Sequence, residues 1–364
     1  MYIYDAEYIH DGETLLNCPK EFSGVLNVAE GVITINYGAF DDCKNITKIN
    51  IPKSVKYIHA FENRHNAETS IILRGILGSY VVAPTKLSAI NVDPENPYFS
   101  SVDGVLYNKD KTILLKCPNV EIVNLPETVE EIHKDAFEYC VDLVEINVDP
   151  NNKKYLSING VLFNTQPSEI VLVPNKQTTL TFPDNFNKIT MDTLKDLEQI
   201  KTINISRNVI RIELGAFTEC KELCAINVDP KNVKYSSDKG ILYNYHKTTL
   251  IRCPLQKEGD IIIPDSVVEI AEGAFEYCNK ITSVHIPDGI TYIEAGTFFN
   301  CHELTNVNIP NTVKKIGAEA FTECPKLNNI YIPKSVEDID YLAFDVIENI
   351  IVDPNNKFFY NCEL

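Results

Sequence analysis

Residues 274–324 read AFEYCNKITSVHIPDGITYIEAGTFFNCHELTNVNIPNTVKKIGAEAFTEC, and the spacing inside this stretch decides the fold. Phe275, Phe298 and Phe321 fall 23 residues apart in the frame (A/T)-F-x-x-C, and Phe344 follows at the same interval. Between them recur a β-branched residue, one further residue, an isoleucine and a proline: Val284, Ile286 and Pro287; Val307, Ile309 and Pro310; Ile330, Ile332 and Pro333. That alternation is the pattern of a short strand with one buried face, and proline ends it because it has no N–H to donate. The next apolar pair, such as Val313 and Ile316, lies three apart and leads into GAEAFTEC, which predicts a short helical or 3-10 turn with its alanine and phenylalanine inward. A unit reading strand, turn, short helix and return is the signature of one coil in a stack.

The frame extends upstream through the residue between the two inward strand positions. It gives Asn27 and Asn50; Asn124 and Asn147; Thr181, Asn204 and Asn227; and Ile262, His285, Asn308 and Tyr331, with a step of 23 within each group. The longer steps between groups have one origin. INVDPENPYFSSVDGVLYNKDKTILLKCP (90–118), INVDPNNKKYLSINGVLFNTQPSEIVLVP (146–174) and INVDPKNVKYSSDKGILYNYHKTTLIRCP (226–254) are copies of one insert. Two apolar runs, such as Gly104 to Tyr107 and Thr112 to Leu115, flank a polar link, which predicts a β-hairpin. The start, through Leu15, Leu16, Cys18 and Pro19, resembles the second half of a hairpin coil, and IIVDPNNKFFYNCEL at the end resembles the first half. The expectation is one α/β repeat solenoid over 1–364, strand-rich, with short convex helical turns and hairpin inserts, cut at both ends within hairpin coils. The stretch from Glu62 to Ser88 departs from the frame.

Composition narrows the function. A net charge of −18 over 364 residues argues against nucleic acid or an anionic membrane as partner. No segment reaches the ~18 apolar residues of a spanning helix, and the start, MYIYDAEYIHDGETLL, lacks the basic and apolar regions of a signal peptide. Of eleven cysteines, Cys43, Cys140, Cys220, Cys278, Cys301 and Cys324 follow a phenylalanine by three residues. A repeat position of this kind suits buried thiols acting as small hydrophobes, with bridges between neighbouring coils as the alternative.

The combination of I-P-x-x-V-x-x-I, A-F-x-x-C and the VDP…GVLYN…CP insert resembles the BspA-like leucine-rich-repeat family over nearly the whole chain. The resemblance implies a right-handed solenoid, often part of a bacterial or protozoan surface or secreted protein and in some members associated with adhesion. It brings no catalytic residues and no cofactor.

The frame places thirteen strands, which at about 4.8 Å each would make a sheet roughly 60 Å long. Its exposed, concave face would carry the candidate binding residues Asn50, Asn91, Asn124, Asn147, Asn204, Asn227, His285, Asn308 and Tyr331, with Asn27 on the same row. Stacked amides form a hydrogen-bonded ladder; the same amides, which both donate and accept, suit recognition of a glycan or an extended peptide. His285 and Tyr331 interrupt the row, where an aromatic serves as an anchor. Asp93, Asp149, Asp229 and Asp353, each before proline, fit the first position of a type I turn more simply than a calcium site. The seven histidines show no metal-ligand spacing, and no G-x-S-x-G, H-E-x-x-H or phosphate-binding glycine loop occurs. The expectation is a noncatalytic binding protein, adhesin-like or at a cell surface, with a protein or glycan partner and no cofactor or metal. The alternative is a structural spacer or intracellular scaffold.

Overall fold

A computed structural model describes residues 3–4, 9–10, 12–36, 39–40, 43–59, 86–166, 168–344 and 349–358, the first two pairs and 349 as backbone alone. Of the irregular stretch 62–88, only 86–88 lies among them. The chain folds as two compact units, Met1–Lys176 and Gln177–Leu364.

In the first unit Ser23–Asn27, Asn45–Ile51 and Ala89–Val92 pair in parallel, with Asn27, Asn50 and Asn91 in register, and Ile122–Leu125 pairs with Glu145–Val148. In the second, Thr179–Thr181, Thr202–Ile205 and Ala225–Val228 form one ladder, and Glu258–Ile262, Lys280–His285 and Asn306–Asn308 a second. Asn329–Ile332 pairs with Asn349–Val352. Residues 23 apart are therefore neighbours across a ladder, and a repeat unit closes one coil. Inward residues such as Ile203, Ile226, Val284 and Ile330 are buried, and their alternates are not.

The other side of each coil corrects an expectation. Among the described residues there is no α-helix, and the single 3-10 turn is Asp192–Leu194. In place of convex helices stand two-residue strands, such as Tyr292–Ile293, Lys315–Ile316 and Asp338–Ile339, each followed by a turn segment. The reason lies in where the amides go. Gly273, Phe275 and Tyr277 donate to the carbonyls of Ala295, Thr297 and Phe299 in the next coil, at 3.1, 2.9 and 2.9 Å. Gly296, Phe298 and Asn300 donate in turn to Ala318, Ala320 and Thr322. An amide committed to the neighbouring coil cannot also close a helical turn. Tyr277, Asn300 and Glu323, with φ of +62°, +60° and +58°, sit in the left-handed region that a helix interior excludes.

Side chains repeat the stacking. The rings of Phe275, Phe298 and Phe321 lie 5.1 and 5.2 Å apart and nearly parallel, with Phe344 5.4 Å further on. The cysteine of the same frame is buried and its thiol donates to the preceding coil: Cys301 to the carbonyl of Phe275 at 3.1 Å, Cys324 to that of Phe298 at 3.0 Å. Burial pushes the Cys220 thiol up to about 12, so the thiolate needed for reactivity is suppressed.

Each insert is a three-stranded antiparallel meander: Phe99–Val102, Val105–Asn108 and Ile113–Lys116; Tyr155–Ile158, Val161–Asn164 and Ile170–Leu172; Tyr235–Asp238, Ile241–Asn244 and Thr249–Arg252. The expected hairpin is its second and third strands, and the first is an addition. The tip of each meander turns back on the strand that precedes it. Gly104, Gly160 and Gly240 accept hydrogen bonds from the amides of Ile90, Ile146 and Ile226 at 2.8, 3.0 and 2.8 Å. Only glycine fits there: φ at Gly104 is +78°, and a Cβ would stand 2.8 Å from the Cβ of Ala89. These tips seal strand edges that would otherwise pair with the next coil. The thirteen strands of the frame are present, but in five ladders of two or three rather than one long sheet.

A residue that the repeat reading passed over fastens the insert. Asn232, 2% exposed, donates to the carbonyls of Ser206 and Val209 and accepts from the amides of Lys234 and Tyr235, all at 2.8 or 2.9 Å. Asn96 and Asn152 make the same four contacts in their own coils. Asn356 donates likewise to Pro333 and Val336.

Two substitutions test this packing in a denaturant titration. Phe298→Ala is expected to cost about 3–5 kcal/mol, the range for emptying a large core site. Asn232→Ala, which strands buried carbonyls and amides, is expected to cost about 3 kcal/mol, and Asn227→Ala five positions away under about 1 kcal/mol.

Candidate functional site

The strand face opposite the core carries every candidate binding residue. Asn91, Asn124, Asn147, Asn227, His285, Asn308 and Tyr331 are exposed, and Asn50 and Asn204 are half-buried. They face outward because each lies between two inward residues of a strand, and the ladder register lines them up at one strand spacing.

The amides bond in a constant direction, each to the coil before it. Asn50 Nδ2 donates to Asn27 Oδ1 at 2.7 Å and Asn91 Nδ2 to Asn50 Oδ1 at 2.9 Å. Asn147 donates to Asn124 at 3.3 Å, Asn204 to the hydroxyl of Thr181 at 2.9 Å, and Asn227 to Asn204 at 3.0 Å. Where a meander tip interrupts the first unit's row, Asp103 on that tip accepts from Asn124 Nδ2 at 3.5 Å. A primary amide has two N–H groups and a carbonyl with two lone pairs, so a ladder bond on each side leaves donor and acceptor capacity facing outward.

Two places on this face have more shape than a flat row. In the first unit Asn124 and Asn147 line a groove of about 340 Å³ with Val102 and Asp149. The asparagines were expected; the valine closing a meander strand and the turn aspartate were not, because only the folded insert brings them alongside. In the second unit the row carries two exposed isoleucines on either side of His285, Asn308 and Tyr331: Ile262 is 75% exposed and Ile351 52%. Tyr331 faces Ile351 across the ladder, and its hydroxyl donates to Asp353 Oδ2 at 2.7 Å. That bond is the main reason the Asp353 carboxyl is held below its usual range.

Asp93, Asp149, Asp229 and Asp353 act as turn formers. Each accepts on Oδ1 from the amide two residues on, at 2.8 Å. Among the described residues no group of three His, Cys, Asp or Glu side chains is placed to hold a metal ion. No helix of the described residues is long and apolar enough to cross a membrane.

The profile of the BspA type leucine rich repeat region, six copies, matches residues 20–101, 110–239, 173–258 and 252–364. The chain belongs to the BspA-type leucine-rich-repeat family. No curated protein matches it significantly. Similar solved structures include a leucine rich cell surface protein from Faecalibacterium prausnitzii A2-165, 19% identical over 100% of this chain and 99% of that one, with a TM-score of 0.40. The pneumococcal vaccine antigen PcpA is 14% identical over 96% of this chain and 80% of its own, with a TM-score of 0.38. A leucine-rich repeat protein from Bacteroides ovatus ATCC 8483 is 18% identical over 97% and 98%, with a TM-score of 0.38.

The Tyr331 contact gives a pH prediction for the BspA-type chain. A depressed carboxylate pKa means the pair's stabilisation is present above the ordinary carboxylate value and is lost as pH falls through the lowered one. In a carbon-detected NMR titration Asp353 is expected to titrate below an exposed aspartate, and Tyr331→Phe to move it back up.

Proposed function

We propose that this chain is a noncatalytic binding protein that presents its strand face, the concave face of a leucine-rich-repeat coil, to a protein or glycan at a cell surface. The observation that supports the reading best is the exposed row itself. Its amides are oriented by their own hydrogen bonds and keep outward capacity, so little conformational entropy is lost when a partner engages them. The groove at Asn124 and Asn147 gives a polar contact of defined shape, and Tyr331 beside the exposed Ile351 gives an apolar one. The family, with a surface protein among the similar solved structures, agrees with an adhesin-like role.

A structural spacer is the second reading, favoured by the ladder bonds along the row, which by themselves serve sheet cohesion. A binding experiment separates the two. Wild-type protein and the variant Asn50→Lys, Asn147→Lys, Asn227→Lys, Asn308→Lys are passed over arrays of glycans and extracellular matrix proteins. Loss of retained partners by at least about tenfold, with an unchanged unfolding midpoint, is expected if the strand face binds; identical retention excludes that face.

A further inference from the structure

The turn side of the second unit contains an interrupted ladder. In the consecutive coils from Gly273 onward, alternate amides of one turn segment donate to the next, as Gly273, Phe275 and Tyr277 do to Ala295, Thr297 and Phe299. The coil before the third meander has the matching residues Gly215, Phe217 and Glu219 in the same G-A-F-x-x-C frame. The coil after it replaces the turn segment with the meander. Among the described residues no acceptor meets the amides of Gly215, Phe217 or Glu219.

The missing segment leaves a slot of about 510 Å³ between the turn at 213–217 and the turn at 272–276. Phe217 and Phe299 give it apolar wall, and Glu213, Glu272, Glu276 and Glu319 give it carboxylates. Arg252 lies along it, but its guanidinium already donates to the carbonyls of Gly273 and Glu276. Those bonds occupy acceptors of the far wall, and the Ala274 carbonyl takes the amide of Cys253. Glu213 pairs with Lys188 at 2.6 Å. What remains is the amides of Gly215 and Phe217 on one wall, with that of Glu219 next along the same segment, and three carboxylates, Glu272, Glu276 and Glu319, around the other, which outnumber the one charge of Arg252, whose Nε–H has no partner among the described residues. Just beside them Glu294 is held above the usual carboxylate range, by burial first and then by the charges of Glu269 and Glu272, so a cation arriving here relieves repulsion.

We propose that this slot takes an extended basic peptide segment of a partner protein. Its carbonyls would accept from Gly215, Phe217 and Glu219 as those of the absent turn would, adding a strand to an open edge. Its Lys or Arg side chains would meet Glu272, Glu276 and Glu319. The carboxylates disfavour an anion or an acidic peptide at the same amides.

The test uses the full chain and a fluorescein-labelled nonapeptide of alternating Lys and Val, with an alternating Glu and Val peptide as control, at physiological ionic strength. Wild type is expected to bind the basic peptide and not the acidic one by anisotropy, with amide exchange slowed in segment 212–220. Glu272→Gln, Glu276→Gln, Glu319→Gln together are expected to weaken binding at least about tenfold. The variant carrying four lysines on the strand face should keep the exchange protection at 212–220, because it leaves the slot intact. No binding to wild type, equal binding by the triple variant, or protection found only outside 212–220 overturns the proposal.

Discussion

The interaction on which the rest depends is the hydrogen bond that runs from one coil to the next instead of back along the same segment. On the strand side it is the ordinary parallel ladder. On the turn side it reappears between short irregular segments, from Phe275 to Thr297 and from Phe298 to Ala320. A backbone that satisfies its amides in the stacking direction has no use for helices, and each coil then depends on its neighbours rather than on local propensity. The stacked phenylalanines and the cysteine thiols that reach back one coil follow the same axis.

The inserts act as stops in this arrangement. Each meander turns its glycine tip onto the strand before it, and its buried asparagine ties the insert to the preceding coil through two carbonyls and two amides. A stop has two consequences. On the strand face it divides the amide row and places Val102 and Asp103 beside Asn124, giving the row local shape. On the turn side, where a segment is missing, amides that from Gly273 onward belong to the ladder have no acceptor among the described residues, and a slot opens. Local shape on both sides is thus a by-product of where the repeat is interrupted.

The strands, their register and their inward residues were legible because burial on one face imposes a period of two and stacking imposes a period of 23. The hairpins were legible for the same reason, with Val105–Asn108 and Ile113–Lys116 on the predicted runs. Phe99–Val102 and its counterparts were not: FSSV, YLSI and YSSD carry too little apolar pattern to declare a strand. Asn96, Asn152, Asn232 and Asn356 recur at one place after each VDP, and that recurrence was the available signal. An asparagine in such a turn reads as solvated until the coil behind it is in place.

The sequence by itself determined the coil, its length and which side chains face in, since these follow from the spacing of apolar residues along one chain. It also determined which residues share the exposed row. The tertiary structure alone decided that GAEAFTEC is not helical, that the thirteen strands break into five ladders, and that Gly215 and Phe217 line a slot. Each of these depends on which carbonyl an amide meets in a different coil, a pairing that no local pattern specifies.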